Sequence, residues 1–276
     1  MRLVETSCDI CKSDDRTVLF VKEGFAHVRC QRCGLVYVTP RLIDHLDGQI
    51  LSGTAEMGDE SISASQKKRL VKELNRLGKF RRTNHILEIG PGKGWFLEQA
   101  QNMGWETWAV EVNAKAIARL HASGIKHVLD QPAESFNAPA GIFDIVRIWD
   151  VIEHLQSPRR ALNLAFQSLR EGGIIRLSTT NFASLSRMIN GPEWVYLNGA
   201  DHIVLFEPET IARLLEDLGF STVEIKTRSF NLRKKLYHPE REMTGTPYVL
   251  KPFRKLIDEL IRFSRYGHQM IVEAIK

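Results

Sequence analysis

Between residues 84 and 181 the apolar positions change rhythm repeatedly. Short, nearly continuous apolar runs alternate with stretches in which apolar residues return every three or four positions. The short runs predict strands at His85–Ile89, Glu106–Glu111, Lys126–Leu129, Phe143–Ile148 and Ile174–Ser178. The longer rhythm predicts helices through Phe96, Leu97 and Ala100, through Ala116, Ile117 and Leu120, and through Leu162, Ala165 and Leu169. The last of these opens with Ser157-Pro158 as cap and first helical residue. Strands and helices in strict alternation predict an α/β fold with a doubly wound, mostly parallel sheet.

A further helix is predicted before this region, from Ser63 to about Leu77, where Leu70, Val71, Leu74 and Leu77 share a face. After Thr180 the rhythm breaks. An aromatic insert, Pro192-Glu193-Trp194-Val195-Tyr196, interrupts residues 182–206 and is expected to cover an acceptor pocket. Then come a helix from Glu207-Pro208, a strand at Thr222–Lys226, a basic stretch to residue 255, a helix near Leu256–Phe263 and a strand at Met270–Ile275.

The 276 residues carry four cysteines, all in the first 33, as Cys8-x2-Cys11 and Cys30-x2-Cys33. Residues 1–40 read as two short hairpins bearing these pairs. Two such pairs separated by 18 residues match the spacing of a tetrahedral four-thiolate zinc ribbon. A site closed by four thiolates leaves no coordination position for chemistry, so its expected role is structural. The predicted organisation is a ribbon at 1–40, a linker and helix at 41–83, and an α/β domain at 84–276 with inserted regions at 182–206 and 227–265. No apolar run approaches the ~20 residues that span a bilayer, and no secretory pattern opens the chain. The expected location is cytoplasmic, with no membrane partner. A net charge of +5 chooses no partner by itself.

The chemistry-bearing motif is Leu87-Glu88-Ile89-Gly90-Pro91-Gly92-Lys93-Gly94, where a strand hands over to a helix. Glycines there allow a tight turn and close approach of a ligand to the backbone. A dinucleotide fingerprint would need glycine at position 95, which is Trp95. Glu88 before the turn repels a pyrophosphate and suits a cationic amino-acid end. Glu111 and Asp150 stand at two neighbouring strand ends, so acid or glycine faces the carboxyl edge of the sheet at three places.

On these residues the segment from about 84 to 181 resembles the class I S-adenosylmethionine-dependent methyltransferases, whose fold is a seven-stranded α/β sheet. It is similar to their E-x-G-x-G-x-G loop at Glu88, Gly90, Gly92 and Gly94, and to their ribose acid at Glu111. Their D-x-x-E-H-L segment is matched at Asp150, Glu153, His154 and Leu155. Asp201-His202-Ile203-Val204-Leu205-Phe206 with Leu214-Leu215 and Gly219-Phe220 resembles a subfamily that joins a zinc ribbon to this domain in sugar, polysaccharide or natural-product tailoring.

The resemblance implies S-adenosylmethionine held by the loop glycines, Glu88, Glu111, Val112 and Asp150. An acid that often holds the adenine is replaced by Pro132, leaving Asp130, Gln131 or the Ala133 backbone for that contact. His154 and His202 are the two candidates for the base that would deprotonate a hydroxyl acceptor. As an alternative, Asp150, Glu153 and His154 resemble a segment that holds magnesium in some quinone-pathway relatives, provided they share one helical face. Trp149 reads as core, while Trp194 and Tyr196 are open between core and pocket wall. The expected acceptor is a small molecule, phosphorylated or nucleotide-linked if the basic stretch binds it. An RNA acceptor and a non-catalytic scaffold are the competing readings. With all four cysteines in the knuckles, covalent attack on cytosine C5 is excluded. The Trp149-Asp150-Val151-Ile152 run lacks the pattern used on exocyclic base amines.

Overall fold

The computed structural model describes residues 3–42, 61–228 and 264–276. Most of the basic stretch and the helix expected near Leu256–Phe263 lie outside these residues. The central sheet has seven strands: β6 (His85–Ile89), β7 (Glu106–Glu111), β8 (His127–Asp130), β9 (Phe143–Trp149), β10 (Leu169–Thr180), β12 (Ser221–Arg228) and β13 (Gln269–Ile275). Their order is β12-β13-β10-β9-β6-β7-β8, with β13 antiparallel to both neighbours and the other described pairings parallel. The predicted α/β fold, doubly wound around a mostly parallel seven-stranded sheet, is the observed one. Strand order reverses between β6 and β9, the place where such sheets open a crevice at their carboxyl edge.

Six helices occur among the described residues: α1 (Ala64–Leu77), α2 (Trp95–Asn102), α3 (Ala114–Ala122), α4 (Pro158–Ser168), α5 (Leu185–Asn190) and α6 (Pro208–Asp217). Leu74 and Leu77 of α1, Phe96, Leu97 and Ala100 of α2, and Leu120 of α3 form one core with Ile86, Ile145 and Ile174. On the opposite face, Leu162 and Ala165 of α4 and Ile211, Leu214 and Leu215 of α6 pack on Leu87, Val146, Ile148, Ile175 and Leu177. Alternate residues of each buried strand thus serve two cores. Ser63 starts α1 through a reciprocal capping box with Gln66. Helix α4 stops at Ser168, one residue short of expectation. Leu169 instead opposes Phe143 as the start of β10, and a register shift follows before Ile174.

The cysteine region departs from the expected pair of hairpins. It contains β1 (Leu3–Val4), β2 (Arg16–Lys22), β3 (Phe25–Cys30), β4 (Val36–Val38) and β5 (Arg41–Leu42). Strands β3 and β4 form the expected hairpin over Cys30–Cys33, whereas the other hairpin, β2–β3, bears no cysteine pair on its turn. Cys8–Cys11 lies on a turn before it, and Cys30–Cys33 on the turn that leads to β4, because each knuckle must fold back to present two sulfurs together. Strand β4 then pairs with β11 (Val204–Leu205), a two-residue strand from the far end of the chain. The four-stranded sheet β11-β4-β3-β2 therefore joins the N-terminal region to the insert. Among the described residues no helix is long and apolar enough to cross a membrane.

Candidate active site at the carboxyl edge of the sheet

Beside the glycine turn, a cavity of about 380 Å³ opens under α1, within the range of small-molecule sites. Glu88, Gly90, Trp149 and Arg228 line it from the sheet side, and Gln66, Arg69, Leu70 and Glu73 from α1. Gly90, Gly92 and Gly94 all have positive φ (67°, 52° and 72°), the region that favours glycine. A Cβ on Gly90 would stand 2.5 Å from Val151 Cγ2, and one on Gly94 would stand 2.6 Å from Leu120 Cδ2. A Cβ on Gly92 would meet nothing within 4 Å, so the middle of the turn faces open space.

Glu88 is buried beside Arg147, with one carboxylate oxygen in an ion pair and Oε2 without a hydrogen-bond partner. Burial pushes its carboxyl up to about 7, against the pull of Arg147. The pairing belongs to a row that sequence reading missed. Glu88, Arg147, Arg176 and Glu273 sit side by side on β6, β9, β10 and β13, one layer above Ile86, Ile145, Ile174 and Ile275. Glu73 of α1 accepts from Arg147 Nε at 3.2 Å and from Arg176 Nε at 2.9 Å. Glu273 pairs with both Arg176 and Arg76. The guanidinium of Arg147 also lies over Phe96 at 4.3 Å and Trp149 at 4.1 Å. Trp149, expected in the core, is only half-buried and lines the cavity. A signal existed in the sequence: each of these strands carries a charge two positions from an isoleucine of the same face.

Glu111 ends β7, and its carboxylate accepts three backbone N–H groups: Gly92 at 3.1 Å, Val112 at 2.9 Å and Asn113 at 3.0 Å. It ties the glycine turn to the next loop. Gln131 Oε1 accepts from Asn137 N at 2.7 Å, and Ala133 packs against the core. Asp150 closes β9 with φ of 53°. It accepts from Ser178 Oγ at 2.6 Å and Gln269 Nε2 at 2.9 Å.

This geometry removes one alternative. Asp150, Glu153 and His154 do not share a helical face, because Ile152–His154 is a single 3-10 turn and Leu155 is already extended. The left-handed backbone at Asp150 turns its carboxylate toward β10 and β13. The residues that do converge are Glu153, His154 and His202, whose ligand-type atoms lie within 4.8 Å of one another.

The two histidines meet edge to face with ring centroids 4.8 Å apart, and their surroundings drive them to opposite protonation states. Burial opposes charge on His154, but its Nδ1 donates to Asp201 Oδ1 at 2.9 Å, and Glu153 adds a second negative charge. These outweigh burial and raise His154 to about 9. His202 is lowered to about 4 by burial and by the positive His154 beside it. Its Nδ1 is buried without a hydrogen-bond partner. Burial likewise lifts the Glu153 carboxyl to about 7. Tyr196 stacks on His202 at 5.8 Å and on His268 at 5.9 Å, so a third histidine unnoticed in the sequence joins the aromatic stack. Trp194 is core, packed with Val36, Phe182, Leu197 and Leu205.

The four cysteine sulfurs also converge. Cys8 Sγ lies 3.4 Å from Cys33 Sγ and Cys11 Sγ 3.4 Å from Cys30 Sγ, with all four within 4.8 Å. Sulfurs at ~2.3 Å from one tetrahedral zinc ion would stand ~3.8 Å apart, so the quartet fits such an ion.

Strand order, glycine turn and strand-end acids together define a class I methyltransferase. The sequence model of the methyltransferase-domain family matches residues 63–225. The chain belongs to that family and is an S-adenosylmethionine-dependent methyltransferase. A ubiquinone biosynthesis O-methyltransferase of Aromatoleum aromaticum is 29% identical over 164 residues, covering 55% of this chain and 70% of that protein. A SAM-dependent methyltransferase from Archaeoglobus fulgidus shares 25% identity with a TM-score of 0.54, covering 76% of this chain and 94% of that one. Phosphoethanolamine N-methyltransferase 2 of Haemonchus contortus, solved with S-adenosylhomocysteine, has the same fold at 18% identity and a TM-score of 0.54. That match covers 84% of this chain and 58% of that one.

Proposed function

We propose that the chain transfers the methyl group of S-adenosylmethionine to a hydroxyl oxygen of a small molecule. The donor occupies the cavity under α1, the acceptor lies against the His154–His202 pair, and the four cysteines hold a structural zinc ion. The observation that carries this reading is the pair of touching imidazoles held in opposite protonation states. A neutral imidazole with an unpartnered nitrogen is a base, and an imidazolium beside it stabilises an oxyanion.

When bound, the donor supplies a methyl on a sulfonium that is already activated. The protein's contribution is alignment and proton removal. Glu88 Oε2, a buried acceptor lacking a partner, suits the ammonium of the donor's amino-acid end, and Arg69 and Arg228 on the cavity wall suit its carboxylate. Gly90, Gly92 and Gly94 carry the backbone close to it. Glu111 keeps a lone pair beyond its three backbone bonds for a ribose hydroxyl. Val112, the Gln131 amide and Ala133 form the adenine end, and Asp150 closes the donor side. The neutral His202 imidazole takes the acceptor proton as the oxygen attacks. His154, fixed by Asp201, supports the negative charge that develops there.

The hydroxyl acceptor draws support from the relatives that carry the name of ubiquinone biosynthesis O-methyltransferase. A sugar nucleotide and the tailoring subfamily rest on resemblance and the basic stretch, and an RNA acceptor on the ribbon with that stretch; the O-methyltransferase relatives favour none of them. Asp150 turns away from Glu153 and His154 toward Ser178 and Gln269, so the magnesium segment offered by the resemblance is not assembled. Transfer insensitive to EDTA is therefore expected. The proposed division keeps a ribbon at 1–40 and an α/β domain at 84–276, with the helix in 41–83 serving as a wall of the donor cavity.

Two measurements test this reading. Calorimetry should show S-adenosylhomocysteine binding where NAD does not, and binding of NAD alone would refute the donor assignment. The rate of transfer should fall in an alkaline limb centred near pH 9, where His154 loses its proton. Asp201→Asn should move that limb to lower pH. An alkaline limb unmoved in Asp201→Asn would remove His154 from the mechanism.

A further inference from the structure

We propose that the cysteine ribbon is a positioning element for the acceptor half of the site, clamping the two segments that carry His154 and His202. This rests on the assignment of those histidines to the acceptor side. The ties are specific to that side. Strand β4 pairs with β11, and Val38 N donates to Ile203 O at 2.9 Å, the residue directly after His202. Ile203 N in turn donates to Glu153 O at 3.0 Å, directly before His154. One chain of backbone bonds thus runs from the ribbon through the His202 segment to the His154 segment.

Each knuckle adds a side-chain tie of its own. Asp9, between Cys8 and Cys11, accepts from Ser157 Oγ at 2.8 Å and Arg159 N at 3.0 Å, capping α4 just beyond His154. Arg29, adjacent to Cys30, donates two bonds to Glu207 at 3.0 and 2.8 Å, just beyond β11, and a third to Gly34 O at 3.0 Å in the same knuckle. Arg41 donates to the Gln156 backbone at 3.1 Å. None of these residues lines the donor cavity. Four thiolates drawn onto one ion would fix both knuckles at once, and the knuckles hold Asp9 and Arg29 against the catalytic segments. The ribbon then acts on turnover through geometry, since a misplacement of ~1 Å can cost about 100-fold in rate.

The test uses the full chain with Arg29→Glu, Glu207→Arg and the double charge reversal, with Asp9→Asn probing the other knuckle. Bound zinc, amide hydrogen exchange, S-adenosylhomocysteine affinity and kcat are read for each. Expected in the single variants that keep zinc is faster exchange at 152–159 and 201–207, with kcat down roughly 10-fold or more. Affinity for S-adenosylhomocysteine stays within about twofold, and the double reversal restores kcat and protection together. Unchanged exchange and kcat in zinc-loaded Asp9→Asn and Arg29→Glu would overturn the proposal. So would a loss of S-adenosylhomocysteine affinity in step with kcat, which would mark general loosening. Should exchange and rescue behave as expected while His202→Gln keeps full activity, the clamp stands and the base assignment fails.

Discussion

Replacement of His202 by alanine is expected to lower methyl transfer by roughly 10²–10⁴-fold, the usual contribution of a positioned base, with S-adenosylhomocysteine binding unchanged. His202 lies outside the donor cavity, so the ligand that reports on that cavity does not sense it. The imidazole is neutral over the whole working range, because burial and the positive His154 hold it near 4. The same depression makes a stability prediction. A group whose folded value lies below its ordinary 6.5 contributes stability above 6.5 and loses it as pH falls through 4. His154 is the reverse, contributing stability below 6.5 that disappears as pH rises through about 9. Full activity in His202→Ala would place proton removal elsewhere, with Glu153 the nearest alternative.

Arg147→Met should destabilise the protein in a pH-dependent way, by about 1 kcal/mol more at pH 8 than at pH 5, because each pKa unit is worth about 1.4 kcal/mol and the buried Glu88 loses its partner. Both members are almost wholly shielded, with side-chain exposures of 6% for Arg147 and 2% for Glu88. The pH dependence identifies the cause. Glu88 sits at about 7 in the fold against an ordinary 4.5, so stability falls as pH rises from 4.5 through 7. Without Arg147 the folded value climbs further and the loss continues above 7. The deficit of the variant should be smaller near pH 5 and larger near pH 8, as read by denaturant unfolding at both values. Adding Glu88→Gln should recover much of it. An equal deficit at both pH values would assign the effect to lost packing on Phe96 and Trp149.

What could be read from the sequence follows from the range of the interactions involved. The strands of the central sheet are local apolar patterns, and the glycine turn is a contiguous motif, so His85–Ile89 and the positive-φ glycines were visible in the chain. The knuckles were visible as cysteine spacing, but not their attachment, because β11 is only Val204–Leu205 inside an aromatic insert. His154 and His202 were equal candidates because the charge that separates them, Asp201, acts across 47 residues from His154. Asp150 is legible as a strand end, but the alternative that puts it on one helical face with Glu153 and His154 fails, because a left-handed residue and a 3-10 turn send its carboxylate elsewhere. The charge row depends on register between strands up to 185 residues apart in sequence, from Glu88 to Glu273, and local periodicity is blind to that.

Donor and acceptor are expected to meet between the α1 cavity and the histidine pair. A crystal structure with S-adenosylhomocysteine tests this most directly. Its amino group is expected on Glu88, its ribose on Glu111 and its sulfur opening toward His202. A nucleoside bound elsewhere, or a sulfur facing away from both histidines, would contradict it.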